Sequence, residues 1–249
     1  GGRVTIDPAG LHLAAQARQH PDRPAVVMAG SGEVRTYAQL DDAATRLARL
    51  LRARGVATGD RLAVLVDNEP AFFEVVWAAM RTGLYVTPIN WHLTAEEAGY
   101  IVGDCDATAL VATARLAPVV AAMAPEDLAA ASIRFSVGGE IAGFEALEPL
   151  VADTAPGPVP DEHDGAWMFY SSGTTGRPKG ILPPRSPAAL GAPSFLTHML
   201  SGLFGFTSDT VYLCPAPLYH AAPAGWTVGT QRLGGTAVVM EHFDPLDLL

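Results

Sequence analysis

Four aliphatic hydroxyls, three glycines and a lysine are crowded into eleven consecutive residues: Tyr170, Ser171, Ser172, Gly173, Thr174, Thr175, Gly176, Arg177, Pro178, Lys179 and Gly180. Glycine allows positive φ and lets backbone come close to a ligand. Successive N–H groups can then converge on an anion. The hydroxyls add donors, and Lys179 adds a compact positive charge suited to phosphate. The run has the chemistry of a loop that holds a polyphosphate.

The best-known phosphate loop reads G-x-x-x-x-G-K-[ST] and opens a helix. Here Lys179 follows Pro178 and precedes Gly180, so both the glycine–lysine pair and the trailing hydroxyl are missing. Pro178 also biases Arg177 towards extended conformations, which argues against a helix start. The preceding apolar and aromatic run, residues 166–170, has strand length. The expected arrangement is therefore strand, phosphate-holding loop, extended segment.

The run 170–180 resembles the signature loop of the adenylate-forming enzymes, which include acyl-CoA and aryl-CoA synthetases, luciferases and peptide-synthetase adenylation domains. Two further segments resemble the family in its order. One is Gly83, Leu84, Tyr85, Val86, Thr87, Pro88, Ile89 and Asn90, followed by Leu93, Thr94, Ala95, Glu96 and Glu97. The other is Pro217, Leu218, Tyr219 and His220. The resemblance implies activation of a carboxylic acid by ATP to an acyl-adenylate and pyrophosphate, then thioester formation with coenzyme A. It implies that Ser172, Gly173, Thr174, Thr175, Gly176 and Lys179 grip the β- and γ-phosphates, with Lys179 and Thr174 the catalytic members. Ser171 matches a hydroxyl position that helps hold magnesium. Tyr219 and His220 match residues bordering the acid pocket, and Trp226 is a candidate lining residue there or a buried helical residue. Such chemistry needs no protein nucleophile; positioning and neutralisation of growing phosphate charge suffice.

Two departures bear on the acid. Leu182, Pro183, Pro184 and Arg185 stand where many members have a Ser/Thr–His pair, and Pro223 stands where many synthetases place glycine. Phe195, Phe204, Phe206 and Leu218 favour a hydrophobic acid. The family's adenine-contacting motif, ribose-binding aspartate, hinge and C-terminal domain would all follow Leu249. The implied fold is α/β, an incomplete N-terminal domain of parallel βαβ units in layered sheets with the C-terminal domain missing. The expectation is a truncated piece, inactive alone, of an acyl-CoA synthetase. A non-catalytic nucleotide-binding module and a peptide-synthetase-type adenylation enzyme are the alternatives.

The chain has 249 residues, of which 49% are hydrophobic, enough for a substantial core. Its formal charge is −10, and no Lys/Arg cluster offsets this, which argues against a nucleic-acid partner. Cys105 and Cys214 show neither metal-ligand nor disulfide spacing, in keeping with a reducing cytoplasm. Residues 186–208 carry no Asp, Glu or Lys and no Arg, and their length could span a bilayer apart from interruption by Pro187, Gly191, Pro193, Gly202 and Gly205. The expected reading is a buried helix with flanking loops; peripheral membrane contact and self-association stay open.

The elements that must position the loop follow from periodicity. Residues 37–54 place Leu40, Ala43, Ala44, Leu47, Leu50 and Leu51 on one helical face, with Gly55 as the cap. Strands are expected at 61–66, 85–89, 109–112, 133–137, 210–213 and 236–240. Helices are expected near the start of the chain and at 70–80, 94–102, 116–123 and 226–233, the third opened by a Thr94–Glu97 capping box. Alternation at this spacing predicts parallel βαβ units. The domain reading is a partial domain over 11–249: a βαβ portion over 11–154, a linker-like loop over 155–165 rich in proline and acid, and the phosphate-loop and acid-pocket portion over 166–249.

Overall fold

The computed structural model describes residues 10–171, 177–184, 189–243 and 245. In chain order its elements begin α1 (Leu13–Gln19), β1 (Pro24–Met28), β2 (Val34–Thr36), α2 (Tyr37–Ala53), β3 (Arg61–Leu65), α3 (Pro70–Arg81), β4 (Tyr85–Pro88), α4 (Ala95–Asp104) and β5 (Ala109–Thr113). They continue with a 3₁₀ turn (Ala114–Leu116), α5 (Ala117–Ala121), β6 (Ile133–Val137), β7 (Glu145–Ala146), α6 (Leu147–Asp153), β8 (Ala166–Trp167), β9 (Phe169–Ser171) and β10 (Lys179–Ile181). The last are α7 (Phe195–Gly202), β11 (Val211–Cys214), α8 (Ala221–Arg232) and β12 (Thr236–Val239). The mixed α/β class and the parallel units agree with the sequence expectation.

The chain divides into two units. One holds the chain up to Asp42, Asn68–Phe73 and the chain from Pro187; the other holds Ala43–Asp67 and Glu74–Ser186. The second unit contains a six-stranded sheet of order β7-β6-β5-β3-β4-β8, every pairing parallel. Its central strands are apolar on both faces because helices cover both, as parallel sheets require. Leu62, Ala63, Val64 and Leu65 of β3 and Leu110, Val111 and Ala112 of β5 are all buried. Gly55 (φ 88°) and Gly83 (φ 69°) close α2 and α3 in the left-handed conformation. Behind them, Val56 N–H donates to Leu51 O at 3.0 Å and Leu84 N–H to Ala79 O at 3.2 Å, turning the chain straight into the next strand.

In the first unit the sheet order is β11-β12-β1-β2, with β11, β12 and β1 parallel and β1–β2 an antiparallel hairpin. Buried Tyr37 donates its hydroxyl to Gln231 O (3.0 Å) and Gly235 O (2.7 Å), so the end of α8 is held by one phenol. A Cβ on Gly229 of α8 would come within 2.5 Å of Leu200 of α7, and one on Gly225 within 3.3 Å of Leu196. Two glycines one turn apart thus make the groove into which α7 settles.

Several expectations change in detail. The run 166–170 is not one strand: β8 pairs parallel with β4, and β9 pairs antiparallel with β10, the exchange of partner falling at buried Met168. Helix α8 starts at Ala221, earlier than 226, because Pro223 sits in its first turn, where a backbone N–H has no helical acceptor. The uncharged stretch is not a buried helix. Within α7 only Thr197 and Leu200 are buried, and Phe195 is 84% exposed. Among the described residues no helix is long and apolar enough to cross a membrane. The expected strands and helices did not include β1, β2, β7 or α6, all short or half-exposed. A helical turn expected after Phe243 lies outside the described residues.

Residues 155–165 form no helix and no named strand, yet they are fastened to the second unit. Arg49 donates to Pro158 O at 2.9 Å, and Gly165 N–H donates to Met80 O at 2.9 Å. Arg81, 5% exposed, donates through Nε to Glu162 Oε1 at 2.7 Å and also reaches Thr45. Arg81→Ala leaves Glu162 without this partner and empties a buried position. It should cost on the order of 3 kcal/mol, read as a lower urea midpoint with unchanged slope.

Candidate functional site

The glycine- and hydroxyl-rich run is entered by β9 and left by β10, and these two strands pair antiparallel with Lys179 opposite Ser171, Gly180 opposite Tyr170 and Ile181 opposite Phe169. The register therefore brings the candidate magnesium-holding hydroxyl and the candidate phosphate-binding lysine side by side. The Ser171 hydroxyl donates to Lys179 O at 3.4 Å, and both residues are exposed. Ser172, Gly173, Thr174, Thr175 and Gly176 lie outside the described residues.

Both strands of the hairpin are tied to neighbouring elements. Tyr170 donates its hydroxyl to Asp104 Oδ2 at 2.6 Å. Burial pushes the Tyr170 phenol above its ordinary range, and the bond to Asp104 adds to that. The strand leaving the loop is held where Tyr100 donates to Pro178 O (3.3 Å) and Tyr85 donates to Pro183 O (3.0 Å). Arg177 lies 4.8 Å over the Tyr100 ring. A cavity of about 230 Å³ lined by Glu96, Glu97, Tyr100, Arg177 and Pro178 flanks this corner. Thr94 and Glu97 form the expected capping box at the start of α4, and hydrogen bonds from Thr94 hold the Glu97 carboxyl below its usual range.

In doubly wound sheets ligands sit where the strand order reverses. Here that point lies between β3 and β5, and it carries an ion pair: Arg115 Nε donates to Asp67 Oδ2 at 2.8 Å. The hairpin beyond β8 is the better candidate on chemistry.

Tyr219, His220 and Trp226 belong to the first unit, whereas the hairpin belongs to the second. The Tyr219 and His220 rings are in contact, centroids 4.4 Å apart, and His220 is the N-cap residue of α8 with its side chain exposed and not used in capping. Burial raises the Tyr219 phenol. Trp226 is half-buried on α8 and packs with Phe204 (4.8 Å), Phe206 (5.8 Å) and Tyr212 (5.9 Å). Neither cysteine is poised for chemistry: both are buried and free, and burial pushes the Cys105 thiol up to about 12. No cluster of three or more His, Cys, Asp or Glu suited to a metal occurs among the described residues.

Sequence reasoning missed Asn68. It is 5% exposed, and its amide donates to Met240 O (2.8 Å) and Ala216 O (3.3 Å) while its carbonyl accepts from Leu218 N–H (2.9 Å). One side chain thus fixes the turn that presents Tyr219 and His220. Its only sequence signal is an amide two residues before the Pro70 helix start, which reads as ordinary capping.

A model of the AMP-binding enzyme family matches residues 13–249. The chain belongs to the AMP-binding enzymes. It is 33% identical over 232 residues to a feruloyl-CoA synthase of Amycolatopsis sp, covering 92% of this chain and 43% of that protein. It is 29% identical over 239 residues to the long-chain-fatty-acid–CoA ligase FadD13 of Mycobacterium tuberculosis, covering 94% and 45%. The inhibitor-bound N-terminal domain of FACL13 from Mycobacterium tuberculosis superposes with a TM-score of 0.78 at 26% identity, over 98% of this chain and 59% of that one. The fold of an anthranilate CoA ligase, AuaEII, also matches, with a TM-score of 0.78 at 20% identity. The chain spans less than half the length of the two ligase sequences it matches.

Removing the Asn68 amide leaves the Leu218 N–H and the Met240 carbonyl without this buried partner, each costing about 1–3 kcal/mol, whereas Ala216 O keeps the Cys214 thiol. Asn68→Ala should lower stability by roughly 2–4 kcal/mol in denaturant titration. Asn68→Asp keeps the acceptor for Leu218 N–H but sets a carboxylate oxygen against Met240 O in a buried site, so it should not restore the stability.

Proposed function

We propose that this chain is the first part of an AMP-forming carboxylic acid–CoA ligase. Its parent would activate an acid with ATP, releasing pyrophosphate, and then transfer the acyl group to coenzyme A. The observation that carries this reading is the antiparallel register that sets Ser171 against Lys179 at the two ends of the glycine- and hydroxyl-rich run. An ammonium and a hydroxyl on adjacent strands suit the negative charge of a nucleoside triphosphate and of its pyrophosphate leaving group.

The chain's own residues have separate tasks in this scheme. Lys179 and Thr174, with Ser172, Gly173, Thr175 and Gly176, hold the β- and γ-phosphates and stabilise negative charge as the α-phosphorus is attacked by a carboxylate oxygen. Tyr219 and His220, with Trp226 deeper on α8, border the acid. An exposed serine oxygen is a hard donor of the kind magnesium takes together with substrate phosphates, so Ser171 fits that role. Magnesium, when bound, would supply additional neutralisation of phosphate charge. Apolar Leu218 and the aromatic cluster around Trp226 favour a hydrophobic or aromatic acid.

Exposure of Phe195, Leu203 and Phe204 on and after α7 supports a peripheral lipid contact as part of the same reading. The free cysteines support a reducing cytoplasm.

The test is expression of the complete reading frame, with hydroxylamine trapping of acyl-adenylates from a panel of aliphatic and aromatic carboxylic acids. The expected result is ATP-dependent hydroxamate and pyrophosphate from at least one apolar acid. Lys179→Ala should reduce the rate by about 10²–10³. Absence of hydroxamate from every acid, with the protein folded, would overturn the proposal.

A further inference from the structure

The helix α4 ends on an acid, which is the wrong charge for that end: its last residue is Asp104, and the final turn carries no basic residue. A carboxylate beside the unpaired carbonyls of a helix C-terminus is disfavoured by the helix dipole. Geometry makes the position specific all the same. Cys105 caps the helix and Asp106 adopts a left-handed φ of 52°, with Asp106 N–H donating to Gly103 O (3.0 Å) and Ala107 N–H to Val102 O (3.3 Å). This closing turn fixes where the Asp104 side chain leaves the helix.

Asp104 receives two phenols from different elements. Tyr170 of β9 donates to Oδ2 at 2.6 Å, and Tyr100, one turn earlier on α4, approaches Oδ1 at 3.2 Å. Tyr100 has a single hydroxyl proton and also lies 3.3 Å from Pro178 O, so it shares that proton between the helix acid and the strand leaving the loop. The Tyr170 ring lies close against Gly180: a Cβ there would come within 2.8 Å of its Cζ and 2.7 Å of the Met168 side chain. Arg177 stacks over the Tyr100 ring and lies 4.0 Å from Glu96, an exposed pair that contributes little by itself. Asp104 thus acts on the incoming strand through Tyr170 and on the outgoing one through Tyr100.

We infer that Asp104, Tyr170 and Tyr100 form a latch that fixes both ends of the phosphate run to α4, making them positioning residues for nucleotide phosphate and not for the acid. The functional half of this inference rests on the ligase reading; the mechanical half does not. None of the three touches the reacting atoms. Their effect is to hold Ser171 and Lys179 in register before nucleotide arrives, so that binding does not have to order the hairpin.

Two readouts test it. The first is hydrogen exchange of the 249-residue chain, comparing wild type with Tyr170→Phe, Asp104→Ala and Asp104→Asn. Faster exchange at 169–171 and 179–181 in Tyr170→Phe and Asp104→Ala, less so in Asp104→Asn, with β3 and β5 unchanged, is the expected result; unchanged hairpin exchange in Tyr170→Phe and Asp104→Ala overturns the latch. The second uses the complete reading frame and the acid that gives hydroxamate with wild type. Asp104→Ala and Tyr170→Phe should each raise the KM for ATP by about tenfold, with the KM for the acid and kcat within about twofold. Their double variant should be no worse than Asp104→Ala alone, since that substitution already removes the acceptor that the Tyr170 hydroxyl uses. Asp104→Asn, which keeps an acceptor for Tyr170, should recover most of the ATP affinity. Equal losses towards ATP and acid, or full additivity, would contradict the positioning role. If wild type makes no hydroxamate, the ligase reading fails, and exchange alone decides the latch. If Asp104→Ala does not fold, Tyr170→Phe carries the expected loss and Asp104→Asn the expected recovery.

Discussion

Antiparallel pairing between β9 and β10 is the constraint on which the candidate site depends. A strand pair has side-chain period two, so slipping it by one residue would turn Lys179 to the other face. Such a short ribbon has few ladder bonds and little intrinsic stability. Its register is held from outside: Met168 N–H continues the β4 pairing by donating to Val86 O at 2.8 Å, and Tyr170, Pro178 and Pro183 are each bonded to neighbouring elements. The parallel sheet of the second unit is the rigid base from which the hairpin projects.

The two units solve the same packing problem differently. Around β3, β4 and β5 a continuous apolar core joins Leu65, Ile89, Ile101, Leu110 and Met168, so one end of the hairpin's first strand is set in the core. In the first unit, where glycines on α8 admit α7, one apolar cluster joins Leu11, Leu200 and Leu233. There, single buried polar side chains also fix backbone: Tyr37 at the end of α8 and Asn68 at the turn before it.

Much of this was legible in the sequence, for identifiable reasons. The parallel strands β3, β4 and β5 are largely apolar runs, β6 alternates polar and apolar residues, and the helices between them have clear stripes, so periodicity located them within a residue or two. The capping box of α4 and the glycine ends of α2 and α3 are local chemistry and read directly. The strand–loop–strand form around Lys179 followed from Pro178 and the aromatic run before it. What could not be read joins residues far apart. Nothing in the neighbourhood of Asp104 says that Tyr170 will reach it, and Asn68 meets Leu218 and Met240 only in the folded chain. The uncharged stretch misled because freedom from charge was taken for burial, while α7 buries a single stripe against glycines. β2 has only three residues, two of them polar, and β1, although apolar, is a five-residue run opened by proline, so both carry too little pattern to stand out.

The central claim is that the run between Ser171 and Lys179 receives a triphosphate. The direct measurement is a crystal structure of the complete protein with ATP and a non-reactive acid analogue. The account predicts β- and γ-phosphate oxygens within hydrogen-bond distance of Lys179 and of backbone N–H groups in residues 172–176. Nucleotide bound elsewhere, with Lys179 free in solvent, would contradict it.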